Sequence, residues 1–296
     1  MHPASLINGQ PGVGIDALDR GLQYGDGLFE TLAVKQGRPQ LWDRHMTRLL
    51  EGCRRLRLPA ADPPLLRAEA DRLCAGAARA VLKIVLTRGP GARGYRIEGD
   101  ADGTRILTLS AAPDYPLRHY RDGVAVRLCA TRLGCNPLLA GIKHLNRLEQ
   151  VLARAEWDDA DIAEGLMCDA RGQVIEGIMS NLFIVRDGVL VTPWLGECGV
   201  AGVMQGTILA WARECGLRVA EQPLGPADIR EADEAFLCNS LIGVWPVRRF
   251  EQAALRPGPV TARVLAAVGP CSLMPEAALP GAGPQQAPGS HCSATA

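Results

Sequence analysis

Residues 136–154 read NPLLAGIKHLNRLEQVLAR and place a lysine, Lys143, between a loop containing proline and glycine and a predicted helix. The helix is predicted over 145–157, where the sequence is LNRLEQVLARAEW. A lysine in a partly desolvated pocket can lose its proton and form a Schiff base with a carbonyl compound. Because Lys143 lies at the end of a loop, just before a helix, it is the first candidate for such chemistry.

Lysine is rare in this chain, which increases the significance of each one. The 32 basic residues are 29 arginines and only three lysines. Lys35 lies beside a hairpin glycine, where a lysine is usually solvated, and Lys83 lies in a predicted strand, where an outward lysine is ordinary. Chemistry that needs a primary amine therefore has three candidates, and Lys143 has the most informative context.

Short predicted strands joined by tight turns follow the helix after Lys143. They are EGLMCD (164–169), QVIE (173–176), NLFIVRD (181–187), VLVTP (189–193), GLRVAEQ (216–222), EAFLCNS (234–240) and GVWPVRRF (243–250). Within CGVAGVMQGTILAWAREC (198–215), a loop punctuated by glycines changes into an amphipathic helix. Many strands with few helices predict an α+β fold with a mixed, barrel-like domain in this half of the chain.

The residues before 112 predict a smaller α/β unit. Its predicted strands are GLFETLAV (27–34), AVLKIVLTRG (80–89) and TRILTLSA (104–111), and its predicted helices are RHMTRLLEGCRRLRL (44–58), with Asp43 as N-cap, and a segment near 64–78. Two prolines in AAPDYPLRHYRDG (111–123) indicate a linker. We predict an N-terminal domain over 1–112, a linker over 113–122, a larger C-terminal domain over 123–274 and a disordered tail over 275–296, which is rich in proline, glycine, alanine and serine.

Composition argues against several classes of protein. Acidic and basic residues are equal at 32 each, so no basic excess favours binding to nucleic acid or to an anionic membrane. No run of 18 apolar residues is present, and the opening MHPASLINGQ lacks the features of a signal peptide, so a cytoplasmic location is expected. Ten scattered cysteines without a C-x-x-C pair, and five scattered histidines, predict buried thiols and no metal site.

Three further features have both an ordinary and a functional interpretation. Glycines precede the helix that begins near Val203 and Met204, so the amides of these two residues are positioned to face a phosphate, although glycine before a helix is common. Glu176 is an acidic residue in an apolar strand region, where an unpaired carboxylate is costly to bury, unless it lies at a strand end in water. Arg48 lies beside the apolar face of the first helix and is by default a surface arginine.

Seven motifs in one colinear order resemble those of the fold-type IV pyridoxal phosphate enzymes. They are DRGLQYGDGLFETL (19–32), HMTRL (45–49), RGPGARGY (88–95), NPLLAGIKHLNRLEQVLAR (136–154), VIEGIMSNLF (174–183), GVAGVMQ (199–205) and CNSLIGVWPV (238–247). The resemblance implies a homodimer that binds pyridoxal 5′-phosphate between a small and a larger domain. At the matching positions it implies that Lys143 forms the Schiff base, that Glu176 faces the pyridine nitrogen, and that Arg48, the amides of Val203 and Met204 and the hydroxyl of Ser240 bind the phosphate.

Within this family, GIKHLNRLEQVL and the RGxGxRGY loop favour the lyases that convert 4-amino-4-deoxychorismate, a small molecule, into 4-aminobenzoate and pyruvate for folate synthesis. Arg93 and Tyr95 of that loop are then candidates for binding a substrate carboxylate, or part of a mobile surface loop. The tyrosine that contacts the cofactor's phenolic oxygen in branched-chain aminotransferases is missing, and Asn146 or a backbone group is the candidate substitute.

Two competing functions remain open at this point. An aminotransferase of the same family, acting on D-amino acids or branched-chain amino acids, would use the same lysine and glutamate. A binding protein with this fold and an unused Lys143 would bind no cofactor and would therefore be colourless.

Overall fold

The computed structural model describes residues 4–12, 14–97 and 102–279. The helices in these ranges are α1 (Arg20–Tyr24), α2 (Trp42–Leu56), α3 (Pro63–Cys74), α4 (Arg118–Arg121), α5 (Leu148–Arg154), α6 (Val203–Glu214), α7 (Pro226–Arg230) and α8 (Pro259–Val268). The strands are β1 (Ala4–Ile7), β2 (Gln10–Pro11), β3 (Gly27–Lys35), β4 (Arg38–Pro39), β5 (Arg79–Thr87), β6 (Thr104–Ala111), β7 (Val124–Leu133), β8 (Ile162–Asp169), β9 (Val174–Gly177), β10 (Asn181–Arg186), β11 (Val189–Pro193), β12 (Arg218–Gln222), β13 (Glu234–Asn239), β14 (Gly243–Phe250) and β15 (Ala253–Ala254). Two 3-10 turns, Gly269–Cys271 and Glu276–Ala278, follow α8.

The first sheet contains six strands in the order β2-β1-β6-β5-β3-β4, with every neighbouring pair antiparallel. Strands β3 and β5 pair along their whole length, from Gly27 opposite Thr87 to Lys35 opposite Arg79. Helices α2 and α3 cover one face of this sheet, and the apolar side chains between them form one core. Burial of these β-branched and leucine side chains away from water provides most of the driving force for this unit.

Helix α2 differs from the prediction at its first residues. Asp43 was expected to be the N-cap, but the helix begins at Trp42 and is capped by Leu41, whose backbone is left-handed with φ of 52°. Trp42 starts the helix early because its side chain is buried in the core of the first sheet. Asp43 instead lies in the first turn, where a carboxylate favours the positive end of the helix dipole.

The second sheet contains nine strands of mixed direction. Its main path is β12-β11-β10-β13-β14-β7-β8-β9, with β15 paired to β14. The pairs β11 with β12, β14 with β7 and β7 with β8 are parallel, and the others are antiparallel. Helices α6 and α8 pack on this sheet, and its core includes the stacked rings of Phe183 and Phe236, whose centroids are 5.1 Å apart.

The segment predicted as a linker lies between the last strand of the first sheet and the first strand of the second. It includes α4, whose Tyr120 is buried and packs edge-on against Trp245 of the second core. We propose that residues 113–122 form the boundary between the two domains. At the other end, Ala278 is buried within the 3-10 turn at Glu276–Ala278, whereas residues 280–296 of the predicted tail lie outside the described residues.

No helix in the described ranges has both the length and the apolar character needed to cross a membrane.

Candidate active site

Backbone hydrogen bonds hold residues 141–145 between strand β3 of the first sheet and the loop that precedes α6. On one side, Phe29 N–H donates to the Lys143 carbonyl at 3.0 Å, and Leu145 N–H donates to the Gly27 carbonyl at 3.0 Å. On the other side, Gly141 N–H donates to the Gly199 carbonyl at 2.8 Å. Gly141 has φ of 78°, a conformation in which a side chain would be strained. The Lys143 segment is therefore fixed by both halves of the molecule.

One cavity of about 510 Å³ brings together all the residues predicted to bind the cofactor. Its lining includes Lys143, Glu176, Arg48, Val203, Met204 and Ser240. These residues come from three separate elements, α2, β9 and α6, and from the loops before α5 and after β13. A concave site where a lysine, a carboxylate and several anion-binding groups converge is typical of a small-molecule site.

Lys143 is a weakly basic amine within this cavity. Burial, together with the nearby positive charge of Arg48, lowers the pKa of Lys143 to about 8. Its Nζ lies 4.5 Å from the centroid of the Phe29 ring. A pKa of about 8 leaves roughly a tenth of the amine unprotonated at pH 7, far more than for an ordinary lysine, and only that form is nucleophilic.

Glu176 lies on β9 and is only 4% exposed. Its Oε2 accepts a hydrogen bond from Val200 N–H at 2.8 Å. Burial raises the pKa of Glu176 to about 7, although the Val200 bond and the charges of Arg147 and Lys143 oppose this rise. Because burial disfavours its ionised form, this carboxylate would be stabilised by a ligand that places a positive charge beside it.

A second buried carboxyl group, Glu164, was not identified from the sequence. It accepts hydrogen bonds from Ser180 Oγ at 3.0 Å and from Met179 N–H at 3.2 Å, and it is 2% exposed. Burial raises the pKa of Glu164 to about 7, and its charge in turn raises that of Glu176. Its position in the apolar strand β8 is the same kind of signal that singled out Glu176.

Arg48 is held in place by a buried carboxylate that sequence reasoning also missed. Glu30 on β3 accepts a hydrogen bond from Arg48 Nε at 2.8 Å and another from His45 Nδ1 at 2.6 Å. Arg48 Nη1 also donates to the Ala201 carbonyl at 3.0 Å. Burial alone would raise the pKa of Glu30, but the charge of Arg48 and the bond from His45 lower it to about 2.

Replacing Glu30 with glutamine should reduce the free energy of unfolding by about 2 to 4 kcal/mol, because Arg48 would lose its buried counter-ion. Since the pKa of Glu30 falls from 4.5 to about 2 on folding, this stabilisation is present above pH 4.5 and is lost as the pH falls towards 2. Urea unfolding at several pH values measures both effects. Glu51→Gln is the control, since the Glu51–Arg54 pair is exposed and should contribute little; equal stability of the two variants would contradict the assignment.

The start of helix α6 supplies unpartnered backbone donors. The N–H groups of Val203 and Met204 lie in its first turn, and within the described ranges they have no acceptor. The Gln205 side chain accepts from the Gly202 N–H at 3.2 Å, which fixes the entry into the helix. The two free amides, the Ser240 hydroxyl and the Arg48 guanidinium line the same cavity, and together they form a donor set suited to a phosphate.

Gly202→Ala should weaken binding of a phosphate-bearing ligand roughly tenfold or more. A Cβ at Gly202 would lie 1.9 Å from Asn181 Oδ1, so the start of α6 would have to move. Gly206→Ala, in the same helix, is the matched control, since its Cβ would meet nothing within 4 Å and alanine favours the helix. Equilibrium dialysis measures the affinity of each variant for the ligand. Equal affinity in both variants would contradict the assignment of the start of α6 as a phosphate-binding site.

Several predicted residues lie elsewhere. Tyr95 is 84% exposed and Arg93 is also exposed, and neither lines the cavity. Asn146 is exposed and lines a different depression, whereas Arg147 beside it lines the main cavity. Lys35 donates to the Pro270 carbonyl at 3.1 Å, far from Lys143 in the sequence and outside the cavity.

Residues 27–250 match the family Amino-transferase class IV, and the chain belongs to this family. It is 38% identical to an aminodeoxychorismate lyase from Vibrio harveyi over 81% of this chain and 89% of that protein. The crystal structure of a 4-amino-4-deoxychorismate lyase from Pseudomonas aeruginosa is 50% identical, with a TM-score of 0.85 over 88% of this chain and 96% of that chain. A hypothetical aminotransferase from Mycobacterium tuberculosis in its PLP-bound form is 25% identical, with a TM-score of 0.77 over 90% of this chain and 98% of that one. The predicted fold is therefore confirmed.

Proposed function

We propose that this protein is a pyridoxal phosphate-dependent lyase that converts 4-amino-4-deoxychorismate into 4-aminobenzoate and pyruvate for folate synthesis in the cytoplasm. The observation that carries the proposal is the cavity in which Lys143, Glu176 and a phosphate-binding set meet. The similarity to two lyases that act on aminodeoxychorismate, at 38% and 50% identity, favours elimination over transamination.

The residues present fit pyridoxal 5′-phosphate. Arg48 keeps two of its five N–H groups free after its bonds to Glu30 and Ala201, and the amides of Val203 and Met204 are unpartnered within the described ranges. These donors and Ser240 would hold the phosphate. Glu176 would face the ring nitrogen and Lys143 would bind the aldehyde carbon. When bound, the cofactor supplies an electron sink for a carbanion.

Lys143 performs two tasks in the proposed reaction. Its Nζ would hold the cofactor, and it would lie free beside the substrate once the substrate's amino group is bound. The free amine removes the proton from C4 of the substrate, for which a pKa of about 8 suits a base near neutral pH. Breaking of the C–O bond would release enolpyruvate and make the ring aromatic. A proton from the Lys143 ammonium, from a nearby hydroxyl or from water would then convert the enolpyruvate into pyruvate.

Glu176 and the cavity walls set the electrostatics. An ionised Glu176 carboxylate would keep the ring nitrogen of a bound cofactor protonated, and this would strengthen the electron sink. Val200 N–H fixes the orientation of this carboxylate through its 2.8 Å bond. The apolar lining, including Phe29, Ile178 and Leu241, lowers the local dielectric constant and so strengthens these interactions.

Supplying 4-amino-4-deoxychorismate to the purified, cofactor-loaded protein tests the proposal. Pyruvate and 4-aminobenzoate should appear in equal amounts. The competing aminotransferase would instead convert D-alanine or a branched-chain amino acid with 2-oxoglutarate and pass through the pyridoxamine form of the cofactor. Transamination without release of pyruvate from the chorismate derivative would replace the lyase proposal, whereas a colourless protein without cofactor would favour the binding protein.

The proposed enzyme is a homodimer, and the exposed face of α5 supports this assembly. Leu148, Val151 and Leu152 are 76%, 62% and 61% exposed, an arrangement that leaves three apolar side chains adjacent on one short helix. Val151 also lines the cavity, so the contact would lie at its rim.

Leu152→Glu should convert the dimer into a monomer, because the charge would be buried without a partner in the contact. Light scattering coupled to gel filtration measures the mass. Leu65→Glu on α3, which is 39% exposed, is the control and should leave the dimer intact. A monomeric wild-type protein, or an unchanged dimer in Leu152→Glu, would contradict this assignment of the interface.

A further inference from the structure

Arg147 is a partly buried arginine whose terminal nitrogens have no protein partner among the described residues. It precedes α5 and lines the cavity with Lys143 and Glu176. Its Nε donates to the His144 carbonyl at 2.9 Å, but Nη1 and Nη2 make no hydrogen bond or ion pair within residues 4–12, 14–97 and 102–279. Because Arg147 lines the cavity and these two nitrogens are bound to no described residue, their N–H donors are available to a ligand.

The charges around Arg147 leave it without a close counter-ion. Burial lowers the pKa of Arg147, while the more distant carboxylates of Glu176 and Glu149 act in the opposite direction. Lys143 and the imidazole of His144 lie close enough for the charge of Arg147 to lower their pKa values. Because Glu30 already neutralises Arg48, the part of the cavity near Arg147 has an excess of positive charge.

Gln150 adds an unpartnered polar group to the same wall. It lies three residues after Arg147, is 8% exposed and lines the cavity. Its Oε1 has no hydrogen-bond partner among the described residues. A buried carboxamide of this kind normally has a partner, and after a flip it can present N–H donors instead.

We propose that Arg147, assisted by Gln150, forms a subsite for an anionic oxygen of a bound ligand. The subsite rests on the proposed function, since either the ring oxygen of the cofactor or a carboxylate of the substrate supplies that oxygen. A guanidinium with two free terminal nitrogens suits both. Arg147 lies close enough to Lys143 and Glu176 for their charges to influence one another, so the subsite lies in the same cavity as these two residues. Arg147 lines this cavity, whereas Asn146, which was named with a backbone group as the candidate contact to the phenolic oxygen, is exposed and lines a different depression.

The test compares Arg147→Met, Arg147→Lys and Arg154→Met as cofactor-loaded proteins. Arg154 is the matched control because it lines the same cavity, but its Nη1 donates to the Trp157 carbonyl at 2.8 Å and its guanidinium stacks on the Trp157 ring. Three quantities are measured: affinity for pyridoxal 5′-phosphate, the pH midpoint of the visible absorbance, and KM for the substrate. Thermal unfolding without cofactor checks that each variant is folded.

If the cofactor supplies the oxygen, Arg147→Met should bind pyridoxal 5′-phosphate about tenfold more weakly. Its absorbance midpoint should rise by about one pH unit, because the charge that disfavours nearby protonation is gone. If the substrate supplies it, the cofactor readouts stay at wild-type values and KM rises tenfold or more. Arg147→Lys should recover part of either effect.

Wild-type values of all three quantities in Arg147→Met, or equal losses in Arg154→Met, would overturn the subsite. If Arg147→Met does not fold, Arg147→Lys decides by the same criteria. The cofactor measurements require no turnover, so they remain informative even if the protein proves to be an aminotransferase.

Discussion

Replacing Lys143 with alanine should abolish the visible absorbance of the bound cofactor and lower turnover by about three orders of magnitude or more. The variant loses both the amine that binds the cofactor and the base that removes the C4 proton, and general-base catalysis alone is commonly worth 10²- to 10⁴-fold. Absorbance spectroscopy and the release of pyruvate measure the two effects. Borohydride reduction of the wild-type protein, followed by peptide mapping, should place the cofactor on the peptide containing Lys143.

The other two lysines provide the controls. Lys83 is exposed on β5, and Lys35 bonds to the Pro270 carbonyl. Lys35→Ala and Lys83→Ala should retain both colour and turnover. Recovery of the reduced cofactor on either of these residues would show that Lys143 is not the lysine that binds it.

Glu176→Gln should retain cofactor binding but lose one to three orders of magnitude in turnover, roughly 1.4 to 4 kcal/mol of transition-state stabilisation. Glutamine keeps the shape of the side chain and an oxygen for Val200 N–H, but it has no charge to hold the ring nitrogen protonated. Cofactor affinity and kcat, measured on the same preparation, separate the two effects. A surface glutamate would show no such difference between binding and turnover.

The pH dependence of cofactor binding gives an independent measurement of Glu176. Burial raises its pKa from 4.5 to about 7, so in the empty cavity the carboxyl takes up a proton as the pH falls through 7. A protonated ring nitrogen favours the ionised carboxylate, so the proton balance of binding should change near pH 7 in the wild type. The change should be smaller in Glu176→Gln, where Glu164 and Lys143 are the buried groups left to titrate. Full turnover in a cofactor-loaded Glu176→Gln protein would contradict the role assigned to this residue.

The regular elements were largely predictable from local pattern. Strands β6, β11 and β14 have the predicted limits, because alternating or continuous apolar runs end at turn residues there. Helix α5 is shorter than predicted, ending at Arg154, and α8 was not predicted at all. Helix ends depend on tertiary contacts, as the buried Trp42 at the start of α2 shows, and these are not visible in the local sequence.

The candidate site was predictable where one residue carried its own signal. Lys143 is one of only three lysines, and Glu176 is an acidic residue in an apolar strand. Both line the cavity. Glu30 carries the same signal within GLFETLAVK, but its importance comes from contacts with Arg48 and His45, which local sequence does not reveal. The role of Arg93 and Tyr95 in binding a substrate carboxylate stays a prediction. Neither residue lines the cavity of its own chain.

The segment around Lys143 forms two isolated β-bridges, one on each side of the lysine. These two bridges limit how many residues can separate Gly141 from His144. His144 forms an antiparallel bridge with Leu28 of the first sheet, and Gly141 forms a parallel bridge with Val200 beside Glu176. Inserting or deleting one residue between the bridges would break one of them or turn the lysine side chain to the opposite face. Tolerance to changes in length should therefore fall sharply at 141–144. Over evolutionary time, substitutions can accumulate around this lysine, but the spacing between its two anchors should remain fixed.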